Sequence, residues 1–155
     1  MTIVVWDGNV LATDRQAEDG SLKWESTKAW YVSSEMYGTC VVSGVGYLQD
    51  IVLSREWIRR GANPDDWPLW SKSHRNNCQV VVMTYDKLFL YDGTPYPIER
   101  DAPCAFGHGK DVAYGAMYMG ANAEQAVQAA NKHAQHCGLG VEIFSMKEKA
   151  NEESK

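Results

Sequence analysis

Asp7-Gly8 constrains this chain more than any other short feature. It lies between two β-branched runs, Thr2-Ile-Val-Val-Trp6 and Val10-Leu-Ala-Thr13. An Asp-Gly step between such runs favours a tight turn joining paired antiparallel strands, because glycine and aspartate accept the positive φ it requires. The chain is therefore expected to open as a β-hairpin, with Asp14 just past the end of its second strand. Residues 15–27 are polar and predict a loop or a short irregular strand. Ala29–Val32 and Thr39–Ser43 read as the next strands, the latter ending at Gly44-Val45-Gly46.

The period then changes. Leu48, Ile51, Val52, Trp57 and Ile58 recur largely at helical spacing, and Arg59-Arg60-Gly61 supplies terminal cations and a C′ glycine. Residues 62–77 read as a loop containing Pro and Trp. Gln79–Met83 and Lys87–Tyr91 predict a second hairpin, followed by short strands at Tyr96–Ile98 and Cys104–Phe106. Asp111–Met119 reads as a small-residue helix. Asn122 with Gln125 three residues on makes a capping box for another, expected to run to about Cys137 and stop at Gly138. Val141–Phe144 is a last strand. Residues 147–155 are expected to be a charged, flexible tail beyond a single domain at 1–146. This element order fits an α+β layered sandwich better than a parallel βαβ sheet.

Composition narrows the function. The 155 residues suffice for one domain with a full core, and 15 basic against 20 acidic residues give a net charge of -5. A mildly acidic surface argues against sequence-independent nucleic-acid binding, which needs a basic face. No apolar run reaches the roughly 18–20 residues of a membrane span. The N-terminal run lacks a basic n-region and a cleavage site, so no signal peptide is expected. Cys40, Cys78, Cys104 and Cys137 are scattered without a C-x-x-C pair, which favours reduced thiols in a cytoplasm.

Two nucleotide motifs fail on spacing. Gln49 stands where a dinucleotide fingerprint beginning at Gly44 needs its third glycine, and Asp111 stands where a phosphate loop needs Ser or Thr after Lys110. Cys104/His108 and His133/His136/Cys137 have zinc-ligating side chains, but ordinary helix-end histidines beside a buried cysteine explain them better. Thr2 carries a distinct chemical possibility. A small residue after Met favours initiator removal, which would leave a hydroxyl and a free α-amine on one residue. An α-amine with a pKa near ~8 can act as general base to that hydroxyl.

In order and spacing these segments resemble the proteasome β-subunit branch of the N-terminal-nucleophile (Ntn) hydrolases, closest to small members found in phage and prophage genomes. The carrying residues are Thr2-Ile3-Val4, Asp7–Arg15, Lys28–Val32, Gly44-Val45-Gly46, Ala105–Ala116 and the following helix to Gly138. The resemblance spans about residues 2–145. It implies a four-layer αββα sandwich and amide-bond hydrolysis without a cofactor or metal. Thr2 would be the nucleophile, Lys28 would keep its amine proton-poor, and Asp14 would hold Lys28. Gly44-Val45-Gly46 would give a backbone N–H to the oxyanion and a rail for an extended peptide. A homo-oligomeric ring acting on peptide or protein substrates in the bacterial cytoplasm is the implied setting.

At three positions the sequence departs from the family pattern. His108 replaces a small hydroxyl residue, Ala134 an aspartate and Cys137 a serine, all of which support the nucleophile's amine in the family. His108 and Cys137 are expected to face each other beside Thr2. Alignment on Asp7-Gly8 instead places Met1 at the nucleophile's position, one residue away and on the opposite strand face. A catalytically silent oligomeric scaffold is accordingly the alternative function.

Overall fold

A computed structural model describes residues 2–68 and 78–155. Met1 and the part of the expected 62–77 loop from 69 onward lie outside the described residues. The opening hairpin is present: β1 (Ile3–Trp6) pairs antiparallel with β2 (Val10–Asp14). Asp14 is the last residue of β2. The polar 15–27 stretch forms a hairpin of its own, β3 (Gln16–Asp19) with β4 (Leu22–Glu25), in place of the expected loop or single strand. All four β4 residues are exposed, Leu22 and Trp24 included, so the short Leu-Lys-Trp-Glu alternation marks no buried face.

Two larger sheets carry the core. The first comprises β10 (Cys104–Gly107), β1, β2 and β11 (Val141–Ser145), in that order. The second runs β5 (Ala29–Ser34), β6 (Gly38–Val45), β7 (Gln79–Met83), β8 (Leu88–Asp92) and β9 (Ile98–Arg100). Strand β9 starts where the expected Tyr96–Ile98 strand ends. Val4, Trp6 and Leu11 from one sheet meet Val41, Val81, Met83 and Leu88 from the other in the inter-sheet core. Ile3, Val5 and Ala12 point the opposite way, into a layer with Ala113 and Met117 of α2 (Lys110–Tyr118) and Ala126, Val127 and Ala130 of α3 (Ala123–His133). Helix α1 (Leu48–Arg59) covers the outer face of the five-stranded sheet through Ile51, Trp57 and Ile58. The layers are therefore α, β, β, α, because strand side chains alternate between two apolar environments.

The Asn122/Gln125 capping box forms as expected. Helix α3 nevertheless ends at His133, with Ala134 already extended, short of the expected end at Cys137. The 147–155 tail is also corrected, because Met146–Glu153 is helix α4. Ser145 caps it by accepting the Glu148 N–H, Met146 is buried, and Lys147 Nζ donates to Asn9 Oδ1 at 2.8 Å. Charge alone concealed these anchors. The four cysteines are all buried and unpaired.

Asp7 joins the hairpin turn to a helix. Its Oδ1 accepts the Asn9 and Val10 N–H groups at 2.9 Å each, and its Oδ2 accepts the first N–H of α3, at Ala123, at 2.9 Å. Asp7→Ala should lower the unfolding free energy by about 2 kcal/mol, because three donors lose a charged acceptor. Urea titration measures this, and a change below about 0.5 kcal/mol would show that water replaces the carboxylate.

Candidate active site

The site lies where β1 begins, β2 ends and the five-stranded sheet starts. Asp14 is fully buried and its carboxylate is saturated with donors. Its Oδ1 accepts the Ile3 N–H at 3.2 Å, and its Oδ2 accepts the Gln16 and Gly138 N–H groups at 3.2 Å each. Lys28 precedes β5, and its carbonyl accepts the Ser43 hydroxyl at 2.8 Å. From there its Nζ reaches Asp14 Oδ1 at 2.8 Å and Thr2 Oγ1 at 2.7 Å. The Thr2 hydroxyl donates to the same Asp14 oxygen. Thr2, Asp14 and Lys28, separated by up to 26 positions in sequence, thus form one closed hydrogen-bonded cluster.

Burial sets the electrostatics. Lys28 is 4% exposed, and desolvation pulls its ammonium below the ordinary lysine value, while the Asp14 charge and hydrogen bond pull it back up. Such a lysine can shed and take protons more readily than a solvated one.

The glycine turns are sterically determined. A Cβ on Gly44 would sit 2.6 Å from the Gln79 carbonyl oxygen and 3.1 Å from Ile51 Cγ1. Gly46 has φ +117°, in the left-handed half of backbone space that favours glycine. Strand β6 pairs with β7 through Gly44 and Val45, whereas its pairing with β5 ends at Ser43. Beyond Ser43, on the side where β5 and Lys28 lie, the backbone edge of residues 44–46 has no strand partner among the described residues.

Gly107-His108-Gly109 closes the other side. The His108 N–H donates to the Thr2 carbonyl at 2.9 Å. A Cβ on Gly107 would fall 2.0 Å from that carbonyl oxygen, and one on Gly109 would lie 2.8 Å from Ala130 Cβ and 3.1 Å from Cys137 Sγ. Cys137 is buried next to the cluster. Its thiol is pushed up to about 11 by burial and by Asp14, against Lys28 and the Gly109 N–H.

Cys137 packs on Gly109, while the His108 ring meets His136 edge to face, with centroids 5.1 Å apart. His136 Nδ1 lies 2.8 Å from Glu18 Oε2, and the Gln16 side-chain amide donates to Glu18 Oε1. Burial raises the Glu18 carboxyl, but the His136 and Gln16 hydrogen bonds and the Lys23 charge leave it below the usual carboxylate range. Sequence reasoning missed Glu18, which sits in an unpatterned polar run, and placed His136 on a helix that ends before it. The cysteines of the two suggested zinc sets lie in different layers, Cys104 between the sheets and Cys137 under the helices, although His108 and His136 meet. Among the described residues no group of three His, Cys, Asp or Glu side chains is disposed to hold a metal ion.

No family model matches the chain, and no curated protein does. Solved structures do. Thiobacillus denitrificans BPH in complex with epoxomicin has 18% identity and a TM-score of 0.65, over 94% of this chain and 97% of that one. Eukaryotic HslV from Trypanosoma brucei has 17% identity and a TM-score of 0.63, over 92% and 97%. The Anbu (Gly-1) mutant from Hyphomicrobium sp. strain MC1 has 10% identity and a TM-score of 0.69, over 94% and 82%. At these identities the likeness is one of architecture, and the fold of this chain is that of the HslV and proteasome-like Ntn proteins.

Proposed function

We propose that this chain is a proteasome-like, threonine-type amide or peptide hydrolase that works through Thr2 after removal of Met1. The observation that carries the reading is the Thr2 hydroxyl held by Lys28 Nζ at 2.7 Å and by the Asp14 carboxylate. A surface threonine needs neither a buried lysine nor a buried carboxylate.

With Met1 gone, the Thr2 α-amine is the general base. The hydroxyl oxygen attacks the substrate carbonyl carbon while its proton passes to the amine, with Lys28 favouring the neutral amine and the forming alkoxide. The tetrahedral oxyanion is met by a backbone N–H of the Gly44-Val45-Gly46 turn, while the free edge of residues 44–46 aligns an extended peptide. Collapse breaks the C–N bond, the leaving amine takes the proton, and water then hydrolyses the Thr2 ester by the same route. No metal or organic cofactor enters these steps.

The working form is proposed to be a homo-oligomeric ring. Tyr118 and Met119, 89% and 81% exposed at the end of α2, provide apolar surface suited to a subunit contact. A cytoplasmic location goes with this reading, and no described helix is long and apolar enough to cross a membrane.

Thr2 is itself only 2% exposed, and Ala134 stands where the family pattern has an aspartate. These observations favour a second reading, a catalytically silent oligomeric scaffold. Intact and native mass spectrometry, with and without epoxomicin, separates the two. The hydrolase should lack Met1, assemble as a ring and gain one adduct per subunit on Thr2. Retention of Met1 without an adduct overturns the hydrolase reading and leaves the scaffold.

A further inference from the structure

Between α3 and β11 the chain passes through two non-glycine residues of positive φ, His136 at 68° and Leu139 at 58°. Such a backbone conformation is strained for a residue with a side chain, and persists only where surrounding contacts hold it. On one side this loop holds the candidate site, since Gly138 donates to Asp14 Oδ2 at 3.2 Å and accepts the Arg15 N–H at 3.1 Å. On the other it is held by His136, which is bonded to Glu18 on β3 and packed edge to face on His108. Glu18 lies two residues beyond Gln16, whose N–H also binds Asp14. His108 lies on the turn that grips the Thr2 carbonyl. One imidazole therefore touches both structures that fix the cluster, and the proposed chemistry does not use it.

We propose that His136, anchored by Glu18 and packed on His108, is a positioning residue that locks the turn holding Thr2 to the loop holding Asp14. The assignment rests on the hydrolase reading for its consequence, the alignment of the Thr2 hydroxyl. The tie between turn and loop can be detected without turnover. Positioning of this kind governs rate more than binding, because an error of about 1 Å at reacting atoms costs as much as 100-fold.

His136→Gly is the informative variant, since glycine adopts φ 68° without strain and removes only the side chain. Glu18→Gln is the second variant, keeping the shape while discharging the anchor. Two amides are the reporters: Ile3, which donates to Asp14, and His108, which donates to Thr2. Both are remote in sequence from residues 18 and 136. In each variant both amide resonances should shift, and the rate of Thr2 labelling by epoxomicin should fall about tenfold, with apparent probe affinity within about twofold. Unmoved Ile3 and His108 amides in a folded His136→Gly chain would overturn the assignment, as would an unchanged labelling rate. If the unmodified protein takes no label, the hydrolase reading fails by itself, and the two amides still decide whether His136 ties turn to loop.

Discussion

A Thr2→Ala chain is expected to lose at least about 10^3-fold in amide turnover and to take no epoxomicin adduct, while remaining folded. The loss follows from removing the attacking oxygen, and the effect of deleting a nucleophile dwarfs that of its neighbours. Folding survives because Lys28 and Asp14 keep their own contact at 2.8 Å, and Asp14 retains the N–H groups of Ile3, Gln16 and Gly138. Two hydrogen bonds are lost, so urea unfolding should show a cost of about 1–2 kcal/mol. Thr2→Ser, which keeps hydroxyl and amine, should retain labelling. Undiminished turnover by Thr2→Ala would place the chemistry elsewhere and end the Thr2 assignment.

Much of the fold was legible because its signals are local. Asp7-Gly8 announced the first hairpin, and the apolar spacing from Leu48 to Ile58 announced α1. The Asn122/Gln125 box fixed the start of α3, since both partners of the reciprocal bond lie within one turn. Elements whose stability comes from elsewhere were opaque. The β3–β4 hairpin buries no apolar face, its Leu22 and Trp24 being exposed, so little distinguishes it from a polar loop. Helix α4 depends on a Ser145 cap, the buried Met146 and the Lys147 contact with Asn9, none of which a charged composition discloses. The early end of α3 is likewise tertiary, as the 134–140 loop is drawn toward Glu18 and Asp14.

The candidate site was less legible. Asp14 by itself is a residue at a strand end, and Lys28 a lysine before a strand. Only the resemblance joined them to Thr2, because contacts spanning 12 to 26 positions leave no periodic trace. The geometry now joins the Thr2 hydroxyl to Asp14 and Lys28, and the Thr2 carbonyl to the glycine turn. That arrangement bears on the register question raised by Asp7-Gly8, since it is the Thr2 side chain that meets Lys28. His136 and Glu18 could not be found from spacing, as their pairing spans 118 positions and needs a backbone turn the sequence does not announce.

Lys28→Met carries the second large effect, on stability and activity together. Methionine roughly matches the aliphatic stem but takes away the Nζ donor shared by the fully buried Asp14 and the Thr2 hydroxyl. Removing one member of a buried pair costs about 3–5 kcal/mol, since the remaining charge stays desolvated. Adding Asp14→Asn should recover part of this cost, so the two substitutions will be strongly non-additive. The pH dependence follows from the lowered Lys28 value. The folded chain gives up this proton more readily than the unfolded chain, whose value is the ordinary 10.5. Folding is thus penalised at neutral pH, and stability from this group rises as pH climbs through the folded value toward 10.5. Urea unfolding at about pH 7 and about pH 10 should show this contribution in the unmodified protein and its absence in Lys28→Met. Turnover should fall by about 10^2- to 10^4-fold, the usual contribution of a positioned proton-transfer group. A Lys28→Met chain as stable as its parent would mean that Asp14 is satisfied by its backbone donors alone, and that Lys28 is held there for chemistry rather than for the fold.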